Sequence, residues 1–419
     1  MVLFVPSVHA QTVAATVHVG SDPGGVAYDP SKGEVFVANS YGSTVSVISD
    51  TTNTVIANVT VGYAPDIVAY DPSKGEVFVG NTGNNTVSVI SDSTDTVVAT
   101  VPVGVGPGAI VYDSGRGEVF VANTGNNTVS VISDSTDTVV ATVPVGFFPG
   151  VYDSGMVYDS GRGEVFAANN GVPLHFSDTI SIISDATNTV VATVPAGNSP
   201  TAVAYDPSKG EVFVANVASN TVSVISDATK AVVATVSVGN RPWDITYDAS
   251  KGEFFVANSG FYPNYNGTVS VISDATNALV GTVPVGGGPI GVIYDASKGE
   301  VFVANSISNT ASVISDSTDT VVATVPVGVG PGAIVYDSGK GEVFIANAGG
   351  NTVSVIPDVL TAAATTTSMT SITSESIASS GGIPEFPVQL GFTFMATVVI
   401  VISYVFVRRG LRTGKQGPI

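Results

Sequence analysis

Short apolar runs broken by turn-forming residues follow one another along most of this chain, and the same runs keep returning in the same order. The unit is clearest in the 39 residues from Gly108 to Gly146, GAIVYDSGRGEVFVANTGNNTVSVISDSTDTVVATVPVG. It divides into GAIVY, GEVFVAN, TVSVIS and TVVATVPV, each rich in Val, Ile, Phe and Thr and each bounded by Gly, Asp, Asn or Ser. β-Branched and aromatic residues suit a pleated surface and turn formers end it, so the pattern predicts four strands. A helix is excluded, because EVFVANTGNNTVSVI places β-branched residues, Gly and Asn where a helix needs Leu, Ala and Glu at 3.6 spacing.

The Tyr-Asp pair that closes the first strand counts the units. It occurs at Tyr28, Tyr70, Tyr112, Tyr158, Tyr205, Tyr247, Tyr294 and Tyr336, with spacings of 42, 42, 46, 47, 42, 47 and 42 residues. Four strands in roughly 40 to 50 residues are the signature of a propeller blade, a small sheet that buries both faces only when neighbours stack on it. The chain also begins with a fourth strand lacking its first three (TVAATVHVG, 12–20) and ends its last unit at a third strand (TVSVIP, 352–357). The two defects complement each other, so the expected fold is all-β, an eight-bladed β-propeller closed by an N-terminal outer strand. A linear array would instead need polar caps. GEVFVAN, apolar on both faces, suits a middle strand between neighbouring blades. TVVATVPV alternates and carries a proline (Pro102, Pro144, Pro195, Pro284, Pro326) that only an edge strand tolerates.

Charge and composition narrow the chemistry. The formal net charge is −20, from 34 acidic and 14 basic residues. Phosphate binding requires a basic surface, so nucleic acid is excluded as a partner. There is no cysteine, and His9, His18 and His175 are scattered, so no metal and no cofactor is expected. Every unit has Asp after Tyr and Lys or Arg before Gly-Glu in its first hairpin, and seven carry a Ser-Asp (Asp50, Asp92, Asp134, Asp185, Asp227, Asp274, Asp316) in the hairpin before the outer strand. Alternate turns of an up-and-down sheet share an end, so these acids should line one rim. They read as turn formers whose oxygens accept local backbone N–H bonds, rather than as a calcium ring.

The segments VFVAN, TVSVISD and TVVATVPVG resemble the YVTN-type β-propeller repeats of prokaryotic, notably archaeal, cell-surface proteins, over residues 12–357. The name-giving tetrapeptide reads Phe-Val-Ala-Asn in most units, and eight units stand here where family members often have seven. The resemblance implies a surface-exposed interaction or structural module and brings no catalytic residue with it.

The ends read differently. Residues 1–10 are the expected remnant of a signal peptide, with the propeller over 11–357. Residues 358–387 form a Ser/Thr-rich stalk, expected to be disordered, and 388–407 (VQLGFTFMATVVIVISYVFV) form an expected transmembrane helix. Arg408, Arg409, Arg412 and Lys415 make 408–419 a basic cytoplasmic tail, which leaves the propeller outside the cell. Ile-Pro-Glu-Phe-Pro (383–387) resembles the PEF-type sorting tags of some archaeal surface proteins. Asn58, Asn84, Asn126 and Asn266 are glycosylation candidates.

Features shared by every unit serve folding, so function is sought where units depart from the pattern. Four extra residues fall between Gly146 and Tyr158, five in the loop 169–179 and five in the loop 258–268. All should lie opposite the acidic rim, where they would present Phe147, Phe148, Tyr152, His175, Phe176, Arg241, Trp243, Phe261, Tyr262 and Tyr265 as a ligand-binding face. An enzyme would set its ionisable groups on the innermost strands, where only Asp66 and Asp244 occur, on opposite blades. The expectation is therefore a membrane-tethered, non-enzymatic surface-layer or adhesion module that binds an envelope protein or glycan. The alternative is an extracellular propeller enzyme of lyase or lactonase type, or an electron-transfer partner.

Overall fold

The second strand of each unit, Glu118–Asn123 in the third, is buried along its length, which requires cover on both faces of the sheet. The computed structural model, which describes residues 11–151, 153–171 and 178–358, supplies that cover by setting eight four-stranded antiparallel sheets side by side. Blade 3 runs from an inner strand Pro107–Asp113 through Glu118–Asn123 and Thr128–Ser133 to an outer strand Thr138–Pro144. The outer strand is exposed at alternate positions and ends on Pro144, as the edge position requires. The ring closes as the chain ends predicted: Ala15–His18 pairs antiparallel with Thr352–Pro357 of blade 8, Ala15 opposite Val355 and His18 opposite Thr352.

There is no central core. Apolar residues instead form eight wedges, one per junction. Between blades 1 and 2, Phe36, Val45, Val47 and Val59 meet Val77, Val79 and Ile90. Across the closure, Val17, Phe344, Val353 and Val355 meet Val35, Val37 and Ile48. A phenylalanine of the second strand (Phe36, Phe78, Phe120, Phe166, Phe213, Phe255, Phe302, Phe344) is wholly buried in every blade. The asparagine that ends the same strand is buried as well: Asn123 donates from Nδ2 to Thr128 Oγ1 (3.1 Å) and Ser130 Oγ (2.9 Å). The Phe-Val-Ala-Asn signature thus fills one wedge and ties the second strand to the third.

Glycine is obligatory in the first hairpin. Gly117 has φ +67°, and a Cβ there would overlap the Asp134 carboxylate folded over it. Gly117→Ala is expected to lower stability by about 2 kcal/mol, from left-handed strain plus displacement of that carboxylate, read as a lower urea midpoint with an unchanged slope.

Two differences from the sequence reading stand out. Blade 8 fills the hairpin position of the seven Ser-Asp aspartates with Asp358, whose N–H donates to Gly341 O (2.8 Å), so the ring extends one residue into the expected stalk. In blade 4 the extra residues shorten the inner strand to Met156–Asp159 and form a 3-10 turn, Asp153–Gly155, while Pro149 keeps its bridge to Asn169. Residues 1–10, the rest of the stalk, the 388–407 span, the basic tail, Tyr152, His175 and Phe176 lie outside the described residues. Among the described residues no helix is long and apolar enough to cross a membrane.

Candidate functional site

The turns sort the charges onto two faces. The lower face carries the first hairpin of each blade and the hairpin before the outer strand, joined by backbone bonds such as Asp134 N to Gly117 O (3.0 Å). In all eight blades the Asp after Tyr is fully buried and its Oδ1 accepts the N–H two residues on, at 2.7 Å from Ser31 to Asp29 and 2.8 Å from Ser250 to Asp248. The turn-forming role expected of these aspartates is what the geometry shows. No group of three or more acidic or histidine side chains able to hold a metal occurs among the described residues.

The upper face is nearly uncharged, and of the basic residues described only Arg241 stands on it. Each blade tip there is a double loop, in which the blade entry runs beside the hairpin joining the second and third strands. In blade 2, Thr82 N donates to Ala64 O (2.9 Å) and Gly83 N to Tyr63 O (3.0 Å). In blades 2, 3, 7 and 8 one loop carries a large apolar side chain and the other a glycine that makes room for it. A Cβ on Gly83 would overlap the Tyr63 ring, and one on Gly125 would crowd Val105. The result is a set of raised apolar knobs: Tyr41 is 64% exposed, Tyr63 57%, Val105 50%, Phe147 44%, Ile307 43% and Val329 57%. They occupy consecutive blades from 7 through 8 and 1 to 4. Sequence reasoning missed all but Phe147, because the others sit in units of ordinary length. The available signal, for Tyr63, Val105, Ile307 and Val329, was the pairing of a large residue with a glycine about 20 positions away.

Among the residues singled out in the sequence, blade 6 brings several together. Arg241 has φ +56° and donates its N–H to Asn220 Oδ1 (2.8 Å), and its guanidinium lies 5.2 Å from the Trp243 ring centroid. Phe148 holds the equivalent left-handed position in blade 4, at φ +54°. In the blade-6 loop Phe261 is 52% and Tyr262 81% exposed, and Tyr265 meets Tyr262 edge-on with centroids 6.2 Å apart. Asn84, Asn126 and Asn266 are exposed on this same face, Asn126 Oδ1 accepting from Val105 N (3.1 Å), whereas Asn58 lies on an outer strand.

The four-residue insertion of blade 4 does something the sequence did not suggest. Its 3-10 turn lies against the inner strands of blades 3 and 5, and Ser154 hydrogen-bonds the Asp244 carboxylate of blade 6. Asp244 also accepts from Val292 N of blade 7 (3.0 Å) and from Ile245 N (2.9 Å). Part of the residue remains accessible, yet its carboxyl is enclosed, and desolvation pushes its pKa above the carboxylate range against these donors. One carboxylate therefore links blades 4, 6 and 7. Asp66, in blade 2, accepts from the Ser40 hydroxyl of blade 1 (3.3 Å).

No protein-family model and no curated protein matches this chain. Solved structures do. Hydrazine synthase of Kuenenia stuttgartiensis is similar with a TM-score of 0.56 at 17% identity, over 82% of this chain and 98% of that one. Dihydro-heme d1 dehydrogenase NirN, in complex with DHE, is similar with a TM-score of 0.62 at 15% identity, over 79% and 73%. A protein of unknown function from Desulfotomaculum acetoxidans gives 0.56 at 16%, over 74% and 98%. At such identities the likeness concerns fold alone. Together with the strand ladders, it makes the chain an eight-bladed, all-β propeller with four strands in every blade.

Proposed function

We propose that this protein is a non-enzymatic binding module of the cell envelope, which recognises an uncharged protein or glycan surface through its upper face and is tethered by residues 388–407. The observation that carries the reading is the segregation of charge. Among the described residues most charged groups lie on one face, while the other carries only Arg241 and a few aspartates such as Asp22 and Asp178 and raises aromatic and aliphatic side chains. Exposed, well-seated apolar groups bury area on binding at little entropic cost, and Arg241 over Trp243 adds a stacked cation. The YVTN-type resemblance supports the surface location. A lyase, lactonase or electron-transfer reading has less to stand on, because Asp244, the inner-strand acid such a site would recruit, is engaged in joining blades. The names of the fold neighbours do not change this at their low identity.

Glycosylation competes with this proposal at Asn84, Asn126 and Asn266, which share the upper face, and is compatible with it at Asn58. Trp243 reports binding directly. Titration with envelope polysaccharides and purified envelope proteins is expected to change its fluorescence, and Trp243→Ala with Tyr262→Ala is expected to weaken retention on envelope about tenfold or more. Unchanged fluorescence together with unchanged retention of the double variant would sink the proposal.

A further inference from the structure

Arg241 is a base without an acid. Of the ten lysines and arginines described, eight stand within 4.0 Å of a carboxylate, all of them on the lower face. Lys298 lies on that face too, two residues before Glu300. Arg241 stands on the upper face, and among the described residues no carboxylate comes within 4.0 Å of its guanidinium and no side chain or carbonyl accepts a hydrogen bond from it. The acids of its own face are engaged elsewhere. Asp178 Oδ1 accepts from Ser199 N (3.0 Å), Asp66 from the Ser40 hydroxyl (3.3 Å) and Asp244 from Val292 N (3.0 Å).

The guanidinium is nevertheless held in place. Arg241 donates its own N–H to Asn220 of blade 5 (2.8 Å) and its carbonyl accepts from Ser259 N (3.0 Å), so the backbone that carries it is fixed on both sides. The side chain lies over Trp243, 5.2 Å from the ring centroid, with its N–H donors still to give. The turn does not ask for arginine. Blades 3, 7 and 8 place Gly106, Gly288 and Gly330 at the same left-handed position, with φ +65° to +66°, whereas blade 6 holds Arg241 there at φ +56°. The aromatic loop starts from the same seat: Gly260 N donates to Asn240 O (3.0 Å), and Phe261 and Tyr262 follow at once. Bonds from Tyr265 N to Phe261 O (2.9 Å) and from Gly288 N of blade 7 to Tyr265 O (3.2 Å) hold that loop up.

We propose that Arg241, seated on Trp243, is the subsite for a single carboxylate carried by an otherwise neutral glycan, that is, for a uronic acid spaced among neutral sugars. The proposal rests on the upper face being a binding surface and adds the one charge its ligand presents. A carboxylate matches the guanidinium fork with two parallel charge-assisted hydrogen bonds, which a neutral ligand cannot offer. A polyanion is disfavoured, because one base stands on this face of a chain whose formal charge is −20. Isolated carboxylates on a neutral chain satisfy both conditions. Flat rings around the base favour a glycan over a peptide acid: Trp243 lies under the guanidinium, and Phe261 and Tyr262 stand 52% and 81% exposed on the adjoining loop, rigid apolar planes against which the C–H faces of sugar rings can lie.

The full chain is titrated with a xylan oligosaccharide bearing one glucuronate and with the same oligosaccharide after reduction of its carboxyl group, binding being read by Trp243 fluorescence and by calorimetry. The acidic probe is expected to bind about tenfold tighter than the reduced one, an advantage that shrinks as salt is raised from about 50 to about 500 mM. Arg241→Gln should erase the difference and leave the thermal midpoint where it was. Arg241→Lys keeps the charge without the fork and should retain only part of the preference. Equal binding of the two probes by the wild type would overturn the inference and leave the upper face a surface for neutral ligands. A preference that survives Arg241→Gln would overturn it as well, since the arginine would then serve only to cover Trp243. If neither probe binds while envelope protein is still retained through Trp243 and Tyr262, the partner is a protein and the glycan assignment fails. If nothing is retained, the reading of the upper face fails with it.

Discussion

Removing residues 11–20 is expected to destabilise the propeller by on the order of 5 kcal/mol and to abolish its single cooperative unfolding transition. The segment contributes the outer strand of blade 8, with Val17 5% exposed in the closing wedge and Val13, Ala15 and Val19 packed against buried neighbours. Gln11 adds a bond from Nε2 to Glu300 of blade 7 (2.9 Å). Without it Thr352–Pro357 becomes an open edge and the wedge beside Phe344 is uncovered. The measurement is differential scanning calorimetry beside sedimentation. A lowered, broadened transition and concentration-dependent dimers are expected, because the free edge can take the strand of another chain. A synthetic peptide of residues 11–20 should restore the midpoint in a concentration-dependent way. An unchanged midpoint on deletion would mean that the wedge between blades 8 and 1 alone closes the ring.

Phe254→Ala is the second large effect, a loss of about 3–5 kcal/mol in the urea unfolding free energy. Seven blades have valine at this position, and blade 6 has phenylalanine. Its ring lies between those of Phe213, at a centroid distance of 3.7 Å, and Tyr247, at 4.5 Å, in the wedge joining blades 5 and 6. Truncation leaves a void that two strands on either side cannot close, since both are fixed in ladders. Phe254→Val, which restores the residue of the other blades, should cost clearly less than the alanine variant, because the valine keeps part of the packing. Equal losses for the two would show that the wedge has no tolerance for the common residue.

Much of this molecule could be read in one dimension because a repeat states each rule eight times. The Tyr-Asp spacing gave the blade number, and the split fourth strand gave the closure, since complementary defects at the two ends admit one ring. Proline in the outer strand and unbroken apolarity in the second strand placed both radially, because one lacks an N–H and the other cannot face water. The candidate site was read only in part. Insertions pointed to blade 6, where Arg241 does stack on Trp243 and Tyr262 does stand exposed. Tyr41, Tyr63, Val105, Ile307 and Val329 escaped notice, as ordinary-length units with a large residue look like variants of the consensus.

What the sequence determined by itself, then, is everything that depends on local patterning: strand period, turn chemistry, blade count and the sorting of hairpins to two faces. Only the tertiary structure decided which side chains meet across blades. Ser154 reaches Asp244 two blades away, and the aspartates after Tyr28 and Tyr247 meet the tyrosine and the hairpin aspartate of the next blade. The physical reason is that such contacts join residues some 41 to 90 positions apart on the chain through the stacking angle of rigid sheets, a quantity no single repeat encodes.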